Sequence, residues 1–80
     1  MKLEFEVPDS ALSALRRAPG ELPGKFRLMA AAKFYEVGDL SQERAAELAG
    51  LTRQEFISAL SGLGVSPFQG VEEDLTQPVR

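Results

Sequence analysis

The opening residues, KLEFEV (2–7), alternate apolar and polar positions without a break. Leu3, Phe5 and Val7 fall on one side; Lys2, Glu4 and Glu6 fall on the other. That period of two predicts a half-buried strand. Pro8 closes it, because proline has no N–H to give to a ladder. The period then lengthens. Asp9 or Ser10 is placed to cap a short helix that runs to about Arg17, with Leu12 and Leu15 on its apolar side. The two prolines and two glycines of APGELPG (18–24) predict a loop.

A longer helix is predicted from about Pro23 to Val37. Phe26, Met29, Ala30, Phe34 and Val37 recur along it at helical spacing. Tyr35 and the phenylalanines are expected in the core. Ala30, Ala31 and Ala32 offer a surface that another helix can approach closely, and Gly38 suits the left-handed position after the last turn. Ser41 is a good N-cap for a helix from Gln42 to Ala49, with Glu43 in its first turn where the helix dipole favours an acid. Gly50 stops it. Thr52 caps the last helix, and Glu55 three residues on completes a capping box. Gly62 and Gly64 mark its end, and Ser66-Pro67 begins a polar tail. The expected fold is therefore mainly α: a short N-terminal strand, four helices of which the last two form a helix-turn-helix-like pair at 40–61, then an extended acidic tail. Residues 1–65 read as one small domain and 66–80 as the tail.

The strand poses a physical problem, since a lone strand leaves its backbone N–H and C=O groups unpaired. Pairing with its twin, with the tail or with another protein would solve it. A homodimer through the strand from Lys2 to Val7 is the expected solution.

Composition narrows the chemistry. The chain has 80 residues, no cysteine and no histidine, so thiolate metal sites, disulfides and the commonest general base are all excluded. There is no glycine-rich phosphate loop with its lysine and no nucleophile beside a base. The chain reads as a non-enzyme, with no catalytic residues, no metal site and no cofactor. No apolar run reaches the ~20 residues of a membrane helix, and a cytoplasmic location is the default. The net charge of −3 is unevenly spread. Residues 1–40 hold six basic and six acidic groups, whereas residues 41–80 hold three and six. Arg16, Arg17, Lys25, Arg27 and Lys33 form a basic cluster, and Glu72-Glu73-Asp74 an acidic triplet in the tail.

LSQERAAELAGLTRQEFISAL (40–60) has the marks of a DNA-reading helix pair: Ala46 as the small residue at a crossing, Gly50 at the turn, and packing from Ala45, Leu48, Leu51, Phe56, Ala59 and Leu60. The candidate DNA-binding residues are then Thr52, Arg53, Gln54, Ser58 and Ser61. Arg53 has the geometry to fork onto guanine or phosphate, and Gln54 to pair with adenine. Two short capped helices also build ordinary cores, and phosphate neutralisation dominates DNA affinity. Arg44 and Arg53 are opposed here by Glu43, Glu47 and Glu55. A ribbon-type DNA reader fits the order of the first elements, but Glu4 and Glu6 would face a polyanion.

At AAKFYEVGDLSQERAAELAGLTRQEFISALSGLGVS (31–66) the sequence resembles a family of small uncharacterised bacterial and archaeal proteins grouped with VapB-like antitoxins. Ala31, Lys33, Tyr35, Glu36, Gly38, Leu40 and Ser41 carry the likeness, followed by Ala45-Ala46-Glu47-Leu48-Ala49-Gly50-Leu51-Thr52-Arg53, Glu55-Phe56, Gly64-Val65 and Glu72-Glu73-Asp74-Leu75. Phe34 stands where that family has leucine, Phe68-Gln69-Gly70 replaces its polar-aromatic run, and the tail ends in Gln77-Pro78-Val79-Arg80. The resemblance implies an antitoxin-like adaptor in a toxin-antitoxin system. It would neutralise a toxin-like protein, with a PIN-domain ribonuclease favoured, and bind operator DNA as a dimer or complex. The tail would wrap the partner, with Phe68, Val71 and Leu75 as apolar anchors and Arg80 pairing with carboxylates. The alternatives are an autonomous small helix-turn-helix transcriptional regulator, or a non-catalytic regulatory subunit of another complex.

Overall fold

A computed structural model of the chain describes residues 1–68. It comprises α1 (Asp9–Leu15), a 3₁₀ turn (Pro19–Glu21), α2 (Leu22–Glu36), α3 (Gln42–Ala49) and α4 (Arg53–Gly62). The mainly helical fold and its four α-helices match the sequence pattern, but the N-terminal strand is absent. Residues 1–8 hold no regular structure, and no β-strand occurs among the described residues. The alternation of KLEFEV encodes a willingness to pair, and the described residues supply no second strand to pair with. The remainder of the expected tail, from residue 69, lies outside the described residues.

Neither Asp9 nor Ser10 caps α1. Pro8 holds the N-cap, and its carbonyl accepts from the N–H groups of Ala11 and Leu12 at 3.0 and 3.1 Å. The helix stops at Arg16, which takes the left-handed region at φ 55°. A non-glycine residue there costs on the order of 1 kcal/mol. No residue of α1 is buried. The loop expected at 18–24 is tighter than a loop: Pro19–Glu21 is a 3₁₀ turn, with the Glu21 carboxylate accepting from the Ala18 N–H at 3.2 Å. Pro23 then sits in the first turn of α2, where its missing N–H leaves nothing unsatisfied.

The core lies between α2, α3 and α4. Ala31 and Ala32 of α2 meet Ala45 and Ala46 of α3, and Tyr35, Phe56 and Leu60 complete the buried cluster. Leu28, Leu40, Ala49, Leu51, Leu63 and Val65 pack around it. The alanine contact lets two backbones approach closely, and the bulk comes from α4, whose Phe56 and Leu60 are wholly buried. Tyr35 meets Phe56 edge to face at 6.2 Å between ring centroids.

Two apolar expectations fail in an informative way. Met29, Phe34 and Val37 recur at helical spacing on α2, yet they are 48%, 44% and 52% exposed. The core-facing side of α2 is the one with Ala31, Ala32 and Tyr35. Leu48 is also exposed; it is the backbone carbonyl of that residue that is used, as described below.

Both ends of α3 and the start of α4 follow the sequence closely. Ser41 Oγ accepts from the Arg44 N–H at 3.1 Å. Thr52 Oγ1 accepts from the Glu55 N–H at 3.1 Å while the Thr52 N–H donates to Glu55 Oε1 at 2.9 Å, a complete capping box. Gly50 ends α3 at φ 74°, and the Leu51 N–H reaches back to the Ala46 carbonyl at 3.0 Å. This position favours glycine twice over. The left-handed backbone strains a side chain, and a Cβ would sit 3.2 Å from the Arg27 guanidinium, which would have to give way by a few tenths of an ångström.

Candidate functional site

The body of the protein ends in a polar node that joins three helices to the start of the tail. The Pro67 carbonyl accepts two hydrogen bonds, from Tyr35 Oη at 2.6 Å and from Gln42 Nε2 at 2.8 Å. Gln42 Oε1 in turn accepts from Arg53 Nε at 2.7 Å. The amide of Gln42 therefore bridges the tail and α4: its nitrogen faces Pro67 and its oxygen faces Arg53. Each partner follows from local structure. Tyr35 projects from the core side of α2 with its ring buried and its hydroxyl at the edge. Gln42 is the first residue of α3, set by the Ser41 cap, and Arg53 is the first residue of α4, set by the Thr52 cap. Beyond the node, Phe68 is 65% exposed.

The five residues predicted to read DNA, Thr52, Arg53, Gln54, Ser58 and Ser61, are all exposed. Thr52 is committed to its cap. Arg53 is turned toward α3 by its bond to Gln42. Gln54, Ser58 and Ser61 share a face of α4 by their spacing, and that face carries no cation of its own. Of the predicted partner anchors, Phe68 is exposed, whereas Val71, Leu75 and Arg80 lie outside the described residues.

The basic cluster is likewise partly occupied. Arg27 Nε donates to the Leu48 carbonyl at 2.9 Å, so this cation clamps the negative end of the α3 dipole. Lys33 pairs with Glu36 at 2.9 Å on its own helix. Arg44 pairs with Glu47 at 3.3 Å, both well exposed, a contact of little energetic weight. Among the described residues, no group of three or more Asp, Glu, His or Cys side chains is placed to hold a metal ion, and no helix is long and apolar enough to cross a membrane.

Sequence reasoning found the two caps but missed the node, including the bond from Arg53 to Gln42. A tyrosine on an apolar helical face gives a weak signal that its hydroxyl needs a partner at the core's edge. Nothing in the sequence marks Gln42 or the Pro67 carbonyl as that partner.

A family profile described as "Uncharacterised protein family (UPF0175)" matches residues 1–80. The chain is also 34% identical over 76 residues to a "UPF0175 protein" of Aeropyrum pernix, a match covering 95% of this chain and 80% of the relative. The chain belongs to the UPF0175 family. No solved structure matches it.

Proposed function

We propose that this protein is an antitoxin-like adaptor that delivers the segment after Pro67 to a partner protein and neutralises it. The observation that supports this reading is the double hold on the Pro67 carbonyl by Tyr35 and Gln42. Two hydrogen bonds on one carbonyl, one of them from a buried tyrosine, fix where the tail departs from the body. An adaptor that presents a short segment gains from such a fixed origin, because less freedom is lost when the segment is captured. A PIN-type ribonuclease is the favoured partner, on the resemblance of residues 31–66 to proteins grouped with VapB-like antitoxins. The acidic triplet and the anchors Phe68, Val71, Leu75 and Arg80 would make the contact.

In this reading DNA is contacted by the complex or a dimer, through Arg53 and the Gln54–Ser58–Ser61 face. Autonomous DNA reading is disfavoured by charge, because Arg44 and Arg53 stand against Glu43, Glu47 and Glu55 on the same helix pair. Tagged co-purification from the native host at low salt tests the proposal, with bound protein and nucleic acid both identified. A stoichiometric ribonuclease that is lost on deleting residues 69–80, with the helical circular dichroism intact, supports it. Operator DNA recovered without any protein partner would overturn it in favour of an autonomous regulator.

A further inference from the structure

Helix α2 is apolar on two opposite sides. One side, Ala31, Ala32 and Tyr35, builds the core. The other holds Phe26, Ala30, Lys33 and Val37, whose 4-3-4 spacing is that of a two-helix seam, with Met29 and Phe34 on its flanks. Met29, Phe34 and Val37 remain about half exposed, and Phe5 extends the patch by stacking edge to face on Phe26 at 5.7 Å. By helical spacing Met29, Phe34 and Val37 lie on the outward half of α2 around Ala30 and Lys33, and exposed apolar residues grouped in this way mark a contact surface.

We propose that this face seats a second copy of the chain, α2 packing antiparallel on α2 about a twofold axis. The antiparallel register is self-complementary, as a twofold contact must be. Phe26 lies opposite the partner's Val37, and Ala30 opposite the partner's Lys33. The small Ala30 admits the methylene stem of that lysine, and the ammonium stays held by Glu36 of its own helix.

Charge favours a second copy over other occupants. Lys25 in the first turn and Glu36 in the last turn lie on the same flank of the seam. Antiparallel packing brings Lys25 beside the partner's Glu36 at each end of the contact. Lys25 has no ion pair among the described residues. The helix dipoles also run in opposition, so each positive end meets a negative one. Pro67, the last point at which the body holds the tail, is bound by Tyr35 and Gln42 on the core side of α2. The contact stands whether or not the tail captures a ribonuclease, and it uses no strand.

Sedimentation equilibrium of the full chain, from low micromolar to submillimolar concentration, tests this. The expected result is a reversible dimer, dissociated by Met29→Glu with circular dichroism unchanged. Lys25→Glu is expected to weaken dimerisation roughly tenfold and Glu36→Lys more, because it also releases Lys33 in the seam; the double variant is expected to dimerise more tightly than Glu36→Lys alone. Each reversal places its charge where the α2 dipole prefers it, so a weakened helix is not what these variants report. A chain that stays monomeric throughout overturns the proposal. So does a dimer insensitive to the charge reversals, or a double variant that dimerises no more tightly than Glu36→Lys alone.

Discussion

The two sides of α2 carry apolar residues of opposite character. The side with the larger residues, Phe26, Met29, Phe34 and Val37, faces outward, and the side with alanines faces the core. The choice follows from geometry. Two helices joined by a short connection must lie close together, and Ala31 and Ala32 against Ala45 and Ala46 allow that without strain. The volume between the helices is then filled from α4 by Phe56 and Leu60 and from α2 by Tyr35. Apolar bulk identifies a surface that avoids water. Only the fit to the neighbouring elements decides which such surface is covered within the chain.

That comparison breaks most visibly at Phe56. It is wholly buried, stacks on Tyr35 and touches the alanine contact. Phe56→Ala is expected to cost about 3–5 kcal/mol, much of the stability of a domain this small. Urea denaturation gives the value. A loss comparable to that of a surface substitution would mean that the core is centred elsewhere.

Gly50→Ala probes the junction where the core side of α2 meets the end of α3. The backbone at φ 74° resists a side chain, and the new Cβ, 3.2 Å from the Arg27 guanidinium, requires that group to give by a few tenths of an ångström. The backbone term alone costs on the order of 1 kcal/mol. The total is expected to exceed that of Gly62→Ala, whose Cβ would meet nothing within 4 Å and whose position lies inside α4. Thermal melts of the two variants side by side measure the difference, and equal melting temperatures would show that neither the φ 74° backbone nor the Arg27 contact penalises a side chain at this position.

Most of the fold was legible in the sequence, for identifiable reasons. Caps and stops are local, so Ser41, Gly50, Thr52 and Glu55 could be read where they stand. Hydrophobic periodicity located α2, α3 and α4 because helical spacing repeats over several turns. It misassigned α2's inner side because both sides repeat. The strand at residues 2–7 was misread for a related reason: alternation reports a side-chain pattern, whereas a strand also requires a neighbour for its backbone, and no residue-level signal supplies one. The polar node at Pro67 was illegible because its partners are 25 and 32 residues apart in the chain and meet only after the helices pack.

The smallest expected effect sharpens the comparison most. Phe34 is 44% exposed on the outer side of α2, one position from the buried Tyr35. In a dilute sample, Phe34→Ser removes apolar area that is already half in water, and the expected change in stability is within about 0.5 kcal/mol. In the proposed dimer a second copy covers the outer side at high concentration, and native-state association would add stability by mass action. The wild-type urea midpoint should therefore rise with concentration, and that of Phe34→Ser should rise less. Parallel midpoints at every concentration would place Phe34 outside the dimer contact. A large loss in the dilute sample would instead mean that this phenylalanine supports the monomer's own core, and that the two sides of α2 differ less than their exposure suggests.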